Sequence, residues 1–157
     1  MKAANQRVAE CLAQFDIDFE IQLLPDAVRT ARQAAAALGC ETGQIANSLI
    51  FRDLGQQRAV LVMCAGDRRV DPVRVAQLTG IELGKADADF VRRQTGFAIG
   101  GVPPVAHAHD LVCLLDDSLK RHAEIWAAAG TPESVFCMSP AQLHQITGGS
   151  WYELSCA

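Results

Sequence analysis

The spacing of apolar positions changes several times along this chain, and each change marks an element. Val8, Cys11, Leu12 and Phe15 recur at helical spacing, which predicts a helix over residues 5–14. Residues 19–23 alternate apolar and polar and read as a strand, ended by Pro25 and Asp26. Thr30 followed three residues later by Gln33 is a capping-box pair. It opens a helix that continues through residues 34–38 and stops at Gly39. Residues 44–47 read as one helical turn. Residues 48–52 and 59–64 are apolar runs around a turn at 53–57, the pattern of a hairpin. After a loop at 65–67, Asp71-Pro72 supplies an N-cap and a proline at the first helical position, for a helix that runs to Thr79 and is capped by Gly80.

The second half follows the same logic. Residues 87–94 read as a helix and 111–115 as an apolar strand closed by Asp116 and Asp117. Residues 125–129 and 135–138 flank Gly130-Thr131-Pro132 and predict another hairpin. Ser139-Pro140 starts a last helix with Leu143 and Ile146 facing inward and Gly148 at its end; residues 151–154 form a terminal strand. Five or six short strands among about five helices make a mixed α/β (α+β) fold, one domain over residues 1–157. No internal repeat, linker or low-complexity tract interrupts it.

Between the fourth helix and the strand at 111–115 lies the most unusual stretch, FAIGGVPPVAH, residues 97–107. Gly100 and Gly101 permit positive φ and close backbone approach. Pro103 and Pro104 fix φ, remove two amide donors and push the residues before them towards extended geometry. Such a loop serves as a tight connector. It also presents bare backbone groups in a stiff frame, which suits gripping a small polar ligand.

Composition narrows the classes. A chain of 157 residues buries roughly 68–70% of its unfolded surface and folds without a covalent staple. Half of it is hydrophobic and 20% is charged, which argues against intrinsic disorder. The formal charge of −4 speaks against broad electrostatic clamping of a nucleic-acid duplex. No apolar run reaches membrane-spanning length, so no membrane association is expected, and the polar, helical N-terminus does not read as a signal peptide. Six cysteines stand without a CxxC pair or metal-ligand spacing, and several lie in apolar stretches. Neither a metal nor a cofactor is expected, and the simplest setting is a reducing cytoplasm.

The stretches IANSLIFR (residues 45–52), AVLVMCAGDRRVD (59–71), GKADADFVRRQTGFAIGGVPPVAH (84–107), LLDDSL (114–119) and AAAGTPESVF (127–136) together resemble the YbaK/EbsC family, the prolyl-tRNA synthetase-associated editing domains. They run in that family's order over about two-thirds of the chain. Gly100 and Pro104 fall on the two fixed positions of the family's GxxxP substrate loop. The resemblance implies a barrel-like mixed β-sheet surrounded by helices. It also implies a free-standing hydrolase that deacylates mischarged aminoacyl-tRNA, of the prolyl-tRNA type carrying a small wrong amino acid. The 3′ end of an aminoacyl-tRNA is then the partner, with an aminoacyl-tRNA synthetase as a further one.

Hydrolysis of an aminoacyl ester needs a placed water, a donor for the developing oxyanion and a fitted pocket. The loop can supply placement and polarisation from Gly100 and Gly101, with Val102, Pro103 and Pro104 shaping the binding surface. The family's lysine, its main catalytic or substrate-positioning side chain, is Asn47 here. Asn donates a hydrogen bond but carries no charge, and a charge-assisted bond is roughly twice as strong. This leaves a deacylase working through Asn47, a catalytically weakened module that binds a tRNA 3′ end or nucleotide, or a hydrolase of some other small acyl or nucleotide ester. Lys85, in a family-like GKAD segment, is a candidate replacement cation. His107 follows the loop and is the candidate to bond a ribose or orient water. Ser48, Arg52 and Asp116 complete the substrate-binding candidates; Arg68 and Arg69 are candidates for tRNA phosphates.

Overall fold

In the computed structural model, which describes residues 2–26 and 28–157, helices form where the sequence supplies both an apolar stripe and a cap. They are α1 (Ala3–Leu12), α2 (Ala31–Leu38), α3 (Pro72–Thr79), α4 (Ala88–Thr95) and α5 (Pro140–Thr147). Thr30 and Gln33 close the expected capping box on α2, and Ser139 and Gln142 close a second on α5. Asp71 and Asp87 cap α3 and α4 through their side chains. The helix α1 starts and ends two residues earlier than its apolar spacing predicts.

Ten strands are present among the described residues, where the sequence predicts five or six. They are β1 (Ile21–Leu23), β2 (Ile45–Asp53), β3 (Arg58–Ala65), β4 (Arg69–Val70), β5 (Leu83–Lys85), β6 (Val112–Asp116), β7 (Ile125–Ala128), β8 (Ser134–Met138), β9 (Ser150–Tyr152) and β10 (Ser155–Cys156). The short strands β4, β5 and β10 hold two or three residues each, too few to show a period. One prediction is corrected outright. Residues 44–47 do not form a helical turn: a 3-10 turn ends at Gln44, and Ile45, Ala46 and Asn47 open β2. Ladder pairing to Trp126, Ala127 and Cys64 overrides the local turn preference of Asn.

A single mixed sheet runs in the order β1-β8-β7-β2-β3-β6-β9. The β2–β3 and β7–β8 hairpins are antiparallel as expected, while β2–β7, β3–β6 and β6–β9 are parallel. One edge of β2 serves two partners, β7 near Ile45 and β5 near Asp53. The strands β4 and β10 pair separately. This is the mixed sheet with flanking helices that the sequence predicts.

Strand alternation sorts the core onto two faces. On one face Ala46, Leu61, Met63, Ala65 and Leu115 join Val8 and Leu12 of α1, Val91 of α4 and Leu143 of α5. On the other, Ile45 packs with Ala34 and Ala35 of α2, while Val60, Val62 and Leu114 pack with Val75 of α3. Asn47 belongs to this second face, between the two clusters, because Ile45 and Phe51 flank it at even spacing.

Candidate functional site

The glycine-proline loop is anchored at both ends and exposed at its tip. Phe97 is 1% accessible, and Arg7 of α1 lies over its ring at 4.6 Å while donating to the Gly96 carbonyl at 3.0 Å. Thr95 Oγ1 accepts from Phe97 N at 3.0 Å. Gly101 N donates to Ala98 O at 3.0 Å, and Gly100 sits at φ 89°, the signature of a type II turn. Val102 and Val105 are buried in the main core. Ile99 and Gly100 therefore project into solvent while everything beside them is fixed.

Gly101 explains where the loop rests. A Cβ built on it would lie 2.7 Å from Thr131 Cα. Only glycine lets the two backbones come this close. The Gly130–Pro132 turn beneath is itself braced. Asn5, 1% accessible, donates to Ala129 O and to Ser134 Oγ, each at 2.8 Å, and Ser134 Oγ meets Thr131 Oγ1 at 2.7 Å. This bracket escaped the sequence reading. Its signal was present: Asn5 stands in register with Val8 and Leu12 on the buried stripe of α1.

The same turn leads back to Asn47. Parallel pairing sets Ile45 beside Trp126 and Ala46 beside Ala127, which brings Asn47 alongside Ala128. Residues 129–131 then bend, with Gly130 at φ 107°, and bring Thr131 against Gly101 of the loop. Across β3, Asn47 faces Cys64 in register, and Cys64 Sγ lies 4.0 Å from Asp116 Oδ2. Asn47, Cys64 and Asp116 form a row over three neighbouring strands. Burial pushes the Cys64 thiol up to about 12, so it stays protonated and is no nucleophile at neutral pH.

The other candidates lie elsewhere. Ser48 is on the opposite face from Asn47 and donates to Met63 Sδ at 3.3 Å. Arg52 is five residues along β2, roughly 17 Å away, and stacks on Phe90 at 4.0 Å. Lys85 pairs with Phe51, four residues and roughly 13 Å along β2 from Asn47. Pro103 and Pro104 are buried. Asp116 is 1% accessible and accepts from Leu154 N, Ser155 Oγ and both Ser118 donors, so it ties β6 to the C-terminal segment. His107 lies behind the loop, its Nε2 2.7 Å from the Pro103 carbonyl. With a carbonyl as partner, Nε2 carries the proton and donates.

Burial holds the His107 ring below its usual 6.5. Its folded state is neutral, so the unfolded chain takes up the proton first as pH falls. Stability is complete above about 6.5 and declines below it until the folded-state value is passed. Denaturant titrations between pH 8 and 5 are expected to show a steeper loss for the wild type than for His107→Gln. Equal slopes would remove this role.

Comparison with known proteins bears on what this arrangement serves. Residues 25–146 match the aminoacyl-tRNA editing domain. The chain belongs to the aminoacyl-tRNA editing domain family. Uncharacterized protein YwhH of Bacillus subtilis (strain 168) is 36% identical over 118 residues, 75% of this chain and 74% of that one. Proline--tRNA ligase of Thermoanaerobacter sp. (strain X514) is 27% identical over 126 residues; the match covers 76% of this chain but 22% of the ligase. A crystal structure of a candidate trans-editing enzyme for prolyl tRNA synthetase superposes with a TM-score of 0.93 at 37% identity, over 100% of this chain and 99% of that one. No described helix is long and apolar enough to cross a membrane.

Proposed function

We propose that this editing domain hydrolyses the ester of mischarged aminoacyl-tRNA, of the prolyl-tRNA type bearing a small wrong amino acid. The observation that carries this reading is the seating of Gly100–Gly101 on the Gly130–Pro132 turn, at the end of the strand that flanks Asn47. The ester carbonyl would lie against the exposed loop tip, whose fixed amides stabilise a developing oxyanion without reorganising. Asn47 holds the terminal nucleotide or the carbonyl through its amide. Water is the nucleophile, consistent with a protonated Cys64 beside Asn47.

Purified protein incubated with prolyl-tRNA carrying Ala, Cys, Ser or Thr is expected to release at least one of these amino acids. Release at the buffer rate for all four would refute the proposal. The second reading, a module that binds the tRNA 3′ end with little turnover, is favoured by one observation: Asn47 brings no charge where the family resemblance places a lysine. Asn47→Lys separates the two. A restored cation is expected to raise the hydrolysis rate by about tenfold, the worth of one charge-assisted bond. An unchanged or lower rate assigns Asn47 a role of its own.

A further inference from the structure

At the far end of the Asn47–Cys64–Asp116 row the sheet opens into a cavity of about 320 Å³. Arg68, Arg74, Asp117, Arg121, Glu153 and Ser155 line it. We propose that this cavity is a subsite for RNA backbone, which takes the phosphate and ribose hydroxyl of a nucleotide preceding the terminal adenosine. It rests on the function proposed above and extends it.

Four observations support this. First, two of the three guanidiniums, those of Arg68 and Arg74, are placed but not saturated, while Arg121 is closed by Asp67 and the Ser118 carbonyl. Arg68 is pinned by Nε to Ser155 Oγ at 3.1 Å and by Nη2 to Ser155 O at 3.0 Å, and its Nη1 makes no hydrogen bond among the described residues. Arg74, on α3, has an ion-pair contact to Glu153 at 3.9 Å, too long for a hydrogen bond. Arg121 is held in a fork by both oxygens of Asp67. Second, Asp117 Oδ1 is shielded from solvent and its one partner among the described residues is the ion-pair contact to Lys120 Nζ at 3.2 Å. A carboxylate oxygen accepts more than one bond, and a ribose hydroxyl is a donor that would add one.

Third, the open positive charge is small. Asp67 neutralises Arg121, and Arg68 and Arg74 face the carboxyl groups of Asp116, Asp117 and Glu153, so a bare anion gains little. A ligand with an anionic end for the arginines and a hydroxyl end for Asp117 uses both. Fourth, the distance is right. Two strand spacings, about 10 Å, separate Asn47 from Asp116 on the same face. The chain leading to an adenosine held at Asn47 passes within reach. Two open arginines contact few phosphates, which fits a short single-stranded end and the overall charge of −4.

Arg74 gives the cleanest test, since it is half-exposed and bound loosely. Binding of a fluorescein-labelled RNA minihelix ending in CCA is read by anisotropy at several salt concentrations. Arg93→Gln is the control, because Arg93 pairs with Asp89 on α4, which packs on the other face of the sheet. Arg74→Gln is expected to weaken binding by roughly fivefold to tenfold and to flatten the log Kd against log salt slope by about 0.7. Arg93→Gln should do neither. Hydrolysis of a 3′-aminoacyl-adenosine, which has no preceding nucleotide, should be the same for Arg74→Gln and wild type. Equal affinity and slope for the wild type and Arg74→Gln overturn the subsite and leave the proposed function standing. Loss of binding in Arg74→Gln, with no deacylation by any variant, keeps the subsite and removes the hydrolase reading. A wild type that does not bind the minihelix overturns both.

Discussion

Gly101→Ala is expected to lower the rate of aminoacyl-tRNA hydrolysis by about 100-fold while the protein stays folded. The added methyl meets Thr131 Cα at 2.7 Å, its carbonyl carbon at 2.8 Å and its nitrogen at 3.0 Å. All three are backbone atoms of a turn held by Asn5 and Ser134, so the turn does not yield. The loop must retreat by several tenths of an ångström instead. Displacements approaching 1 Å at a site that works by positioning cost about 100-fold. Overpacking of this kind costs about 1–3 kcal/mol, a Tm loss of a few degrees in a chain of this length. Gly148→Ala is the matched control. Gly148 has φ 65°, and a methyl added there meets nothing within 4 Å. The substitution costs about 1 kcal/mol in conformational strain and should keep full activity. Parallel melting curves and deacylation rates for the two variants check the claim. Similar activity in both would mean that the loop's seating on Thr131 does not matter.

The contrast between these two glycines shows what sequence reading reaches. Gly39, Gly80 and Gly148 were legible as helix stops, because a helix end is a local event and each lies at positive φ after its helix. The caps at Thr30, Asp71 and Ser139 were legible for the same reason. Gly101 was legible only as part of a stiff loop. Its partner Thr131 is thirty residues away, and nothing local marks the contact. Asn47 shows the opposite failure. Its side chain prefers turns, yet β3 and β7 draw its segment into a strand. The strands β4 and β10 escaped because each exists only through pairing with the other.

Of the candidate site, Gly100 and Gly101 rest on the turn that follows β7, the strand paired with β2 beside Asn47. Parity separates Asn47 from Ser48, which faces the main core where Val102 and Val105 of the loop are buried, and five residues carry Arg52 roughly 17 Å from Asn47. Reading β2 as starting at Ser48 hid that parity. The bracket from Asn5 was hidden by a different habit, the reading of a helix stripe by its apolar members alone.

Asp116→Ala carries the largest expected loss of stability. Asp116 accepts from Leu154 N at 2.7 Å, Ser155 Oγ at 2.7 Å, Ser118 N at 3.2 Å and Ser118 Oγ. These donors come from the two segments on either side of the cavity. Ser155 in turn holds Arg68. Truncation removes the acceptor of all four donors, of which the two serine hydroxyls can turn to water in the adjoining cavity while the Leu154 and Ser118 amides cannot turn. A buried donor left unpaired costs about 1–3 kcal/mol, so the loss is about 2–4 kcal/mol after relaxation. In a chain of this length that is a fall in Tm of about 10 °C. Asp116→Asn keeps one oxygen for the Leu154 amide, and the serine hydroxyls can turn to accept from its NH₂. It should lose less than half as much. If the arginine cavity depends on this hub, Asp116→Asn also weakens minihelix binding while leaving hydrolysis of aminoacyl-adenosine intact. A melting midpoint for Asp116→Ala within about 2 °C of wild type would show that the C-terminal segment is held by other contacts, and that Asp116 belongs to the ligand rather than to the frame.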